Sequence, residues 1–212
     1  MILASGFFIY SLITDEITKH NKNYKITNST ISFIHIILCF IIYFVGYFLN
    51  HDNILKALIC ANTGGFFINE VKLFIKDRNM SKTSLALVAH HIMTTTIILN
   101  AEFRSNVYFI LIGAEFSNLP GCILYYFIQI NKEHKLKDIE YKIPYEKAIK
   151  YTQAIIYITL RVILGPIYIY KSVYNDNINV IYFYFYPFLY LIGVIWSIKL
   201  FKNLNKEKIK EN

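Results

Sequence analysis

Three cysteines and four prolines in 212 residues leave little to staple or interrupt the chain. Cys39, Cys60 and Cys122 all fall inside apolar stretches and no C-x-x-C pair occurs, so neither a disulfide framework nor a zinc site is indicated, and the thiols read as packing. No Pro-rich or Ser-rich linker, internal repeat or coiled-coil heptad divides the sequence, which predicts a single bundle. Charge is scarce as well: Asp, Glu, Lys and Arg make up 17%, against about 25% in ordinary soluble domains. With 55% hydrophobic residues and a mean hydropathy of +0.39, the composition argues against a water-soluble protein. H-E-x-x-H, G-x-S-x-G and glycine-rich phosphate-loop patterns are missing. Three of the six histidines, His20, His51 and His134, sit in connectors, so the repeated histidine boxes of membrane di-iron enzymes are missing too, and no metal or cofactor is expected. The net charge of +8 is dispersed over short connectors and gathers into no basic face, which gives no reason to expect a nucleic-acid partner.

What the sequence does have is apolar blocks of roughly twenty residues, each matching the ~30 Å hydrocarbon layer at ~1.5 Å per helical residue. They predict an all-α, polytopic membrane bundle with helices at about 30–49, 54–75, 83–100, 106–130, 149–171 and 179–201, and a shorter apolar block at 2–14. The short block lacks the basic start and cleavage site of a signal peptide and reads as a seventh span or a half-inserted anchor, the span being preferred. The bundle therefore has six to seven transmembrane helices. Residues 1–25 form the N-terminal segment and its basic connector, 26–201 the membrane domain and 202–212 a lysine-rich tail. Seventeen of the 22 Lys and Arg residues lie on one side of the spans, and only Lys56, Arg104 and Lys171 on the other. By the positive-inside rule the C-terminus is cytosolic. The sequons at Asn28 and Asn79 fall on the same side and should carry no glycan.

Ionisable side chains inside a span cost about 2.5–3.5 kcal/mol each, so those that persist face a bundle interior. His35, Glu70, His90, His91, Glu115 and Arg161 are such residues, and Thr94 and Asn118 accompany them. Their positions fall between the cytosolic half and the midplane, which suggests one internal polar chamber. Each also has a structural reading: His35 as a helix–helix hydrogen bond, Lys72 as a snorkelling side chain, Arg161 as one half of an ion pair with Glu70 or Glu115, the latter closer in depth. The neighbouring His90 and His91 lie about 100° apart on a helix, so both can line one wall with Thr94 a turn away. An imidazole there suits general-base chemistry on a hydroxyl or amine. A proton or ion pathway through the same residues is a further reading.

Five stretches in order carry a family resemblance: Ser32-Phe-Ile-His35, Gly65-Phe-Phe-Ile-Asn-Glu70, His90-His91-Ile-Met-Thr94, Glu115-Phe-Ser-Asn118 with Pro120, and Leu160-Arg161-Val-Ile-Leu-Gly165-Pro166. Together they resemble the TLC-domain family, which contains the ceramide synthases and the smaller TLC domain-containing proteins. Where ceramide synthases end their signature in His-Asp-x-x-Asp, this chain reads Ile112-Gly-Ala-Glu-Phe-Ser-Asn118, closer to the smaller members. That likeness implies a TLC-type bundle acting in membrane lipid homeostasis, with a sphingolipid, fatty acyl chain or phospholipid as partner. The alternative it implies is a ceramide-synthase-like N-acyltransferase taking acyl-CoA and a sphingoid base, with His90 or His91 as base or transient acyl acceptor, oriented by Glu115. His35, Glu70, Thr94, Asn118 and Arg161 would then line the lipid chamber. The ending Lys208-Ile-Lys210-Glu-Asn212 resembles a dilysine retrieval tail, which implies residence in the endoplasmic reticulum and contact with a retrieval coat. The orientation is directly testable: protease added to sealed microsomes should remove a C-terminal tag, and a protected tag would overturn the charge-based topology.

Overall fold

The computed structural model describes residues 2–20, 23–49, 52–76, 82–100, 106–135, 146–175 and 185–211. Among them every residue except Asn23 is helical. In a bilayer this is what the backbone requires, since an N–H or C=O without an internal partner has no water to turn to. Among the described residues, five helical stretches are long and apolar enough to cross a membrane: Lys25–Gly46, Asn53–Ile75, Phe109–Lys132, Glu146–Ser172 and Phe185–Lys202. The chain is thus an all-helical, multi-pass membrane protein. Its helices group into two compact units, Met1–Arg104 and Ser105–Asn212.

The first unit contains α1 (Ile2–His20), α2 (Tyr24–Leu49), α3 (Asp52–Lys76) and α4 (Lys82–Asn100). Asn23 caps α2, its side-chain oxygen accepting the Lys25 N–H at 3.0 Å. α3 is the centre: α1, α2 and α4 all pack on it, and 61% of its apolar window is buried, against 33% or less in the other four. α1 runs further than the apolar block 2–14. Its polar end is held by local bonds, Thr18 Oγ1 to the Thr14 carbonyl at 2.9 Å and Lys19 Nζ to Glu16 at 2.7 Å. The hydrogen bond from Lys19 holds the Glu16 carboxyl below its ordinary value. α1 and α4 are helices of 19 residues each that fall outside the five apolar crossings.

α1 lies along α3 in the same direction, and their backbones touch. A Cβ on Gly6 would fall onto the carbonyl of Ala61, and a Cβ on Gly65 onto the backbone of Gly6. Ala61 and Gly65 are four apart on one face of α3, the small-xxx-small spacing that lets membrane helices approach closely. Below this contact Tyr10, Ile31, Phe66 and Leu73 form the core, with Ile17 and Leu38 against it.

The second unit contains α5 (Asn106–Lys135), α6 (Glu146–Tyr157), a π-helical segment (Ile158–Leu164), α7 (Gly165–Asn175) and α8 (Phe185–Glu211). α6, the π segment and α7 form one uninterrupted rod. Pro166 has no N–H, so the carbonyl four residues back, that of Val162, has no α-helical donor, and the preceding backbone takes the wider hydrogen-bond pattern. α5 packs antiparallel to this rod: Phe109 stacks on Tyr168 at 5.7 Å, Gly113 faces Leu160 and Gly121 faces Gln153. α8 continues helically through the lysine-rich tail to Glu211. Lys208 and Lys210 fall in its last turns, and their side chains lie outside the described residues, as does Asn79.

The glycine contacts give a graded prediction. Gly65→Ala should lower stability in detergent by about 1–3 kcal/mol, the usual cost of overpacking. Gly113→Ala, whose added carbon would find its nearest neighbour at 3.8 Å, should be neutral or slightly stabilising. Thermal unfolding of the two variants beside the wild type would show whether backbone contact is what joins α1 to α3.

Candidate functional site

In the first unit, α2 and α3 bring His35 and Asn62 against Tyr10 of α1. All three are buried, His35 to 1% exposure. The Tyr10 hydroxyl donates to Asn62 Oδ1, and the same oxygen lies 3.3 Å from His35 Nδ1. A phenol has one proton, so with that proton given to Asn62 the oxygen must accept at the second contact. His35 Nδ1 therefore carries the hydrogen in this arrangement, and Nε2 faces the Cys39 sulfur at 3.8 Å as acceptor. Asn62 uses both ends: its Nδ2 donates to the His35 carbonyl at 3.3 Å and to Cys39 Sγ at 3.1 Å. The network fixes a tautomer, an asparagine orientation and three helices at once. His35 is thus the interhelical hydrogen bond that its structural reading expects.

Phe66, one turn from Asn62, lies flat on the His35 ring, with centroids 4.2 Å apart and planes 9° from parallel. Its other contacts are edge-on, to Tyr10 at 6.0 Å and to His91 of α4 at 5.4 Å. Beyond Phe66, His91 Nε2 lies 3.2 Å from Glu70 Oε2, with the side chains 10% and 5% exposed. The distance suits a charged pair, but the angle does not suit a hydrogen bond. Glu70 Oε2 has no aligned partner among the described residues, and neither have Asn69 Nδ2 and Thr63 Oγ1 on the same helix. Asn69 accepts at Oδ1 from Thr14 Oγ1 at 3.0 Å. His90 is half-buried, its ring 5.5 Å from that of His91. Thr94 Oγ1 donates back to the His90 carbonyl at 2.8 Å, so its hydroxyl serves its own helix. Of the sequence-predicted residues, His35, Glu70 and His91 come together here. The carboxylate beside His91 is Glu70, where the family resemblance gives the orienting role to Glu115.

Glu115, Asn118 and Arg161 belong to the second unit. Glu115 is buried on α5. Arg161, in the π segment, reaches the same helix: Nε donates to Ser117 Oγ at 2.7 Å, and Nη2 donates to the Ala114 carbonyl at 2.7 Å and to Asn118 Oδ1 at 2.9 Å. Where the sequence suggests a carboxylate partner, the acceptors are three neutral oxygens. The guanidinium carbon also sits 4.5 Å above the Tyr157 ring and 6.0 Å from that of Trp196. The physical reason is local: Ser117 and Asn118 are adjacent on the face of α5 turned to the rod, and a carbonyl such as that of Ala114 has a second lone pair to offer beyond the helical bond.

Sequence reasoning missed Tyr10, Thr14, Asn62 and Asn69. A signal was present in α3, where Asn62 and Asn69 stand seven residues apart on one face, with Thr63 and Glu70 one step round. Tyr10 gave none, since a tyrosine in a short apolar block looks like any other aromatic. No group of three or more His, Cys, Asp or Glu side chains able to hold a metal ion occurs among the described residues. No protein-family model, curated protein or solved structure matches the chain.

The Tyr10–Asn62 bond makes a testable pair. Asn62→Leu should destabilise the protein by about 1–3 kcal/mol by taking from the buried phenol the acceptor of its proton. Adding Tyr10→Phe should recover part of that loss, since the orphaned group is then removed. Additive losses in thermal unfolding would mean the two side chains act separately.

Proposed function

We propose that this chain is a lipid-handling membrane protein of the TLC-domain type, resident in the endoplasmic reticulum and acting in membrane lipid homeostasis. The polar part of a membrane lipid is received beside Glu70 and His91. One observation carries this reading: on α3, Glu70 Oε2, Asn69 Nδ2 and Thr63 Oγ1 are buried without an aligned partner among the described residues. Buried polar groups in native proteins are nearly always satisfied, and leaving one unmade costs about 1–3 kcal/mol. Three on one helix are explained by a polar guest that supplies the missing bonds. The five ordered motifs support the family, and the lysine-rich end supports the location. On this reading α1 and α4, each about 28 Å long and packed along α3, complete a count of seven spans, and the cytosolic C-terminus follows from the asymmetry of basic residues.

The His91–Glu70 pair favours a second reading, an N-acyltransferase using acyl-CoA and a sphingoid base. A carboxylate beside an imidazole orients it and stabilises its protonated form. His91 would take the amine proton as nitrogen attacks the thioester carbonyl; the C–S bond breaks, an amide forms, and the proton leaves with the coenzyme A thiol.

Lipid profiles of cells expressing the wild type, His91→Ala and Glu70→Gln separate the two. Shifted phospholipids with unchanged ceramides, lost in both variants, are the expected result. An acyl-chain-specific rise in ceramide lost in the same variants would select the transferase, and an unchanged profile with the wild type would sink both.

A further inference from the structure

To be handled at α3, a lipid headgroup has to reach oxygens that are closed off: Glu70 Oε2 and Thr63 Oγ1 are sealed inside the protein as well as unaligned with any partner among the described residues. Seven helical residues turn through about 700°, so these two side chains leave α3 within about 20° of each other. The helix that covers this face is α4. His91 lies 3.2 Å from Glu70 Oε2, and its ring meets those of Phe66 and Phe67 with centroids 5.4 Å and 6.0 Å apart. A headgroup can reach the two oxygens only if a helix packed on α3 moves.

The contacts of the first unit say which one. α1 is fixed to α3 by backbone contact at Gly6 and Gly65, by the Tyr10–Asn62 bond, by Thr14 donating to Asn69 at 3.0 Å and by Lys72 Nζ donating to Ser11 Oγ at 2.8 Å. α2 is fixed by Asn62 Nδ2, which donates to the His35 carbonyl and to Cys39 Sγ. These are aligned hydrogen bonds. At α4 an imidazole and a carboxylate sit close without such alignment, and the rings meet edge-on or tilted. Displacing α4 would also leave Phe66 its flat stack on His35, so the wall behind the opening keeps its shape.

We propose, resting on the lipid-handling reading, that α4 is a gate that swings from α3 to admit a headgroup from the bilayer, and that the His91–Glu70 contact is the latch that holds it shut. α4 turns Leu85 and Ile92 to the lipid phase, so its outward movement is into fluid hydrocarbon. His91 faces Oε2, the same oxygen that awaits a donor. A headgroup that donates a hydrogen bond to Oε2 takes the place of His91, and arrival of the guest and release of the latch are one event.

Nitroxide labels on lipid-facing positions can follow the helices in the full chain, with Cys60 and Cys122 replaced by alanine and Cys39 kept in its buried network. Nanodiscs of phosphatidylcholine suit the test, because that head has no hydrogen to donate and leaves the latch alone. Ile68→Cys with Ile92→Cys spans α3 and α4, and Ile9→Cys with Ile68→Cys spans α1 and α3; all three isoleucines are exposed. By double electron–electron resonance, Glu70→Gln should raise the ratio of long to short α3–α4 separations about tenfold or more, as the loss of a buried charged contact would, and leave the α1–α3 distribution unchanged. His91→Phe, which keeps a ring against Phe66 and Phe67 but cannot pair with Glu70, should do the same. Unchanged α3–α4 distances in a folded variant, or lengthening of both pairs together, would overturn the gate. Should neither variant fold, dioleoylglycerol added to the bilayer decides on the intact latch: its hydroxyl should lengthen the α3–α4 pair alone, and no change would overturn the gate. These distances are read without lipid turnover, so a closed α4 beside lipid profiles that depend on Glu70 overturns the gate alone, while an opening α4 beside unchanged profiles overturns the lipid-handling reading alone.

Discussion

The first unit depends on how closely α1 can approach α3. With glycine at positions 6 and 65 and alanine at 61, the two backbones meet without side chains between them. Membrane helices gain little from mutual hydrophobicity, because lipid tails are as apolar as leucine, so close packing and interhelical polar bonds must hold them together. The backbone contact supplies the first and positions the second. Four and eight residues beyond Gly6, on the same face of α1, Tyr10 reaches Asn62 and His35, and Thr14 reaches Asn69. A wider spacing at Gly6 would carry the phenol away from Asn62, and with it the bond that selects the His35 tautomer.

In the second unit the corresponding constraint is proline. Pro120 interrupts the donor ladder of α5 and Pro166 that of the neighbouring rod. Each helix remains continuous, as proline-containing membrane helices do when side chains and local rewinding meet the freed groups. Arg161 and Ser117 tie the two helices together a turn away: the serine hydroxyl donates to the Ala114 carbonyl at 2.7 Å while receiving Arg161 Nε, so a helix backbone and a foreign guanidinium share one hydroxyl.

The helical architecture was legible because apolar blocks of bilayer length have few alternatives; five of the six long blocks coincide with the apolar crossings, while 83–100 and the shorter 2–14 lie in helices outside those five. The end of α1 was less legible. Residues 15–20 are polar except Ile17, yet the helix runs to His20 on local ion pairs and threonine back-bonds that no apolar pattern announces. The depth of His35, Glu70 and His91 pointed to the interior, and all three are buried. The identity of their partners was not readable, because partners come from other helices and depend on rotation about each axis. Arg161 shows the difference: counting charges suggests a carboxylate, while the geometry supplies a serine, an asparagine and a carbonyl. The π segment left only the Gly165-Pro166 pair as its trace in the sequence.

Phe66 has an electrical consequence. It lies between two imidazoles, flat against His35 and edge-on to His91, and a benzene ring has no exchangeable hydrogen and no lone pair. Across this ring the two imidazoles meet only an aromatic face and an aromatic edge, so what separates the His91–Glu70 contact from the helix-joining bonds of His35 is carbon and hydrogen that can neither donate nor accept a proton.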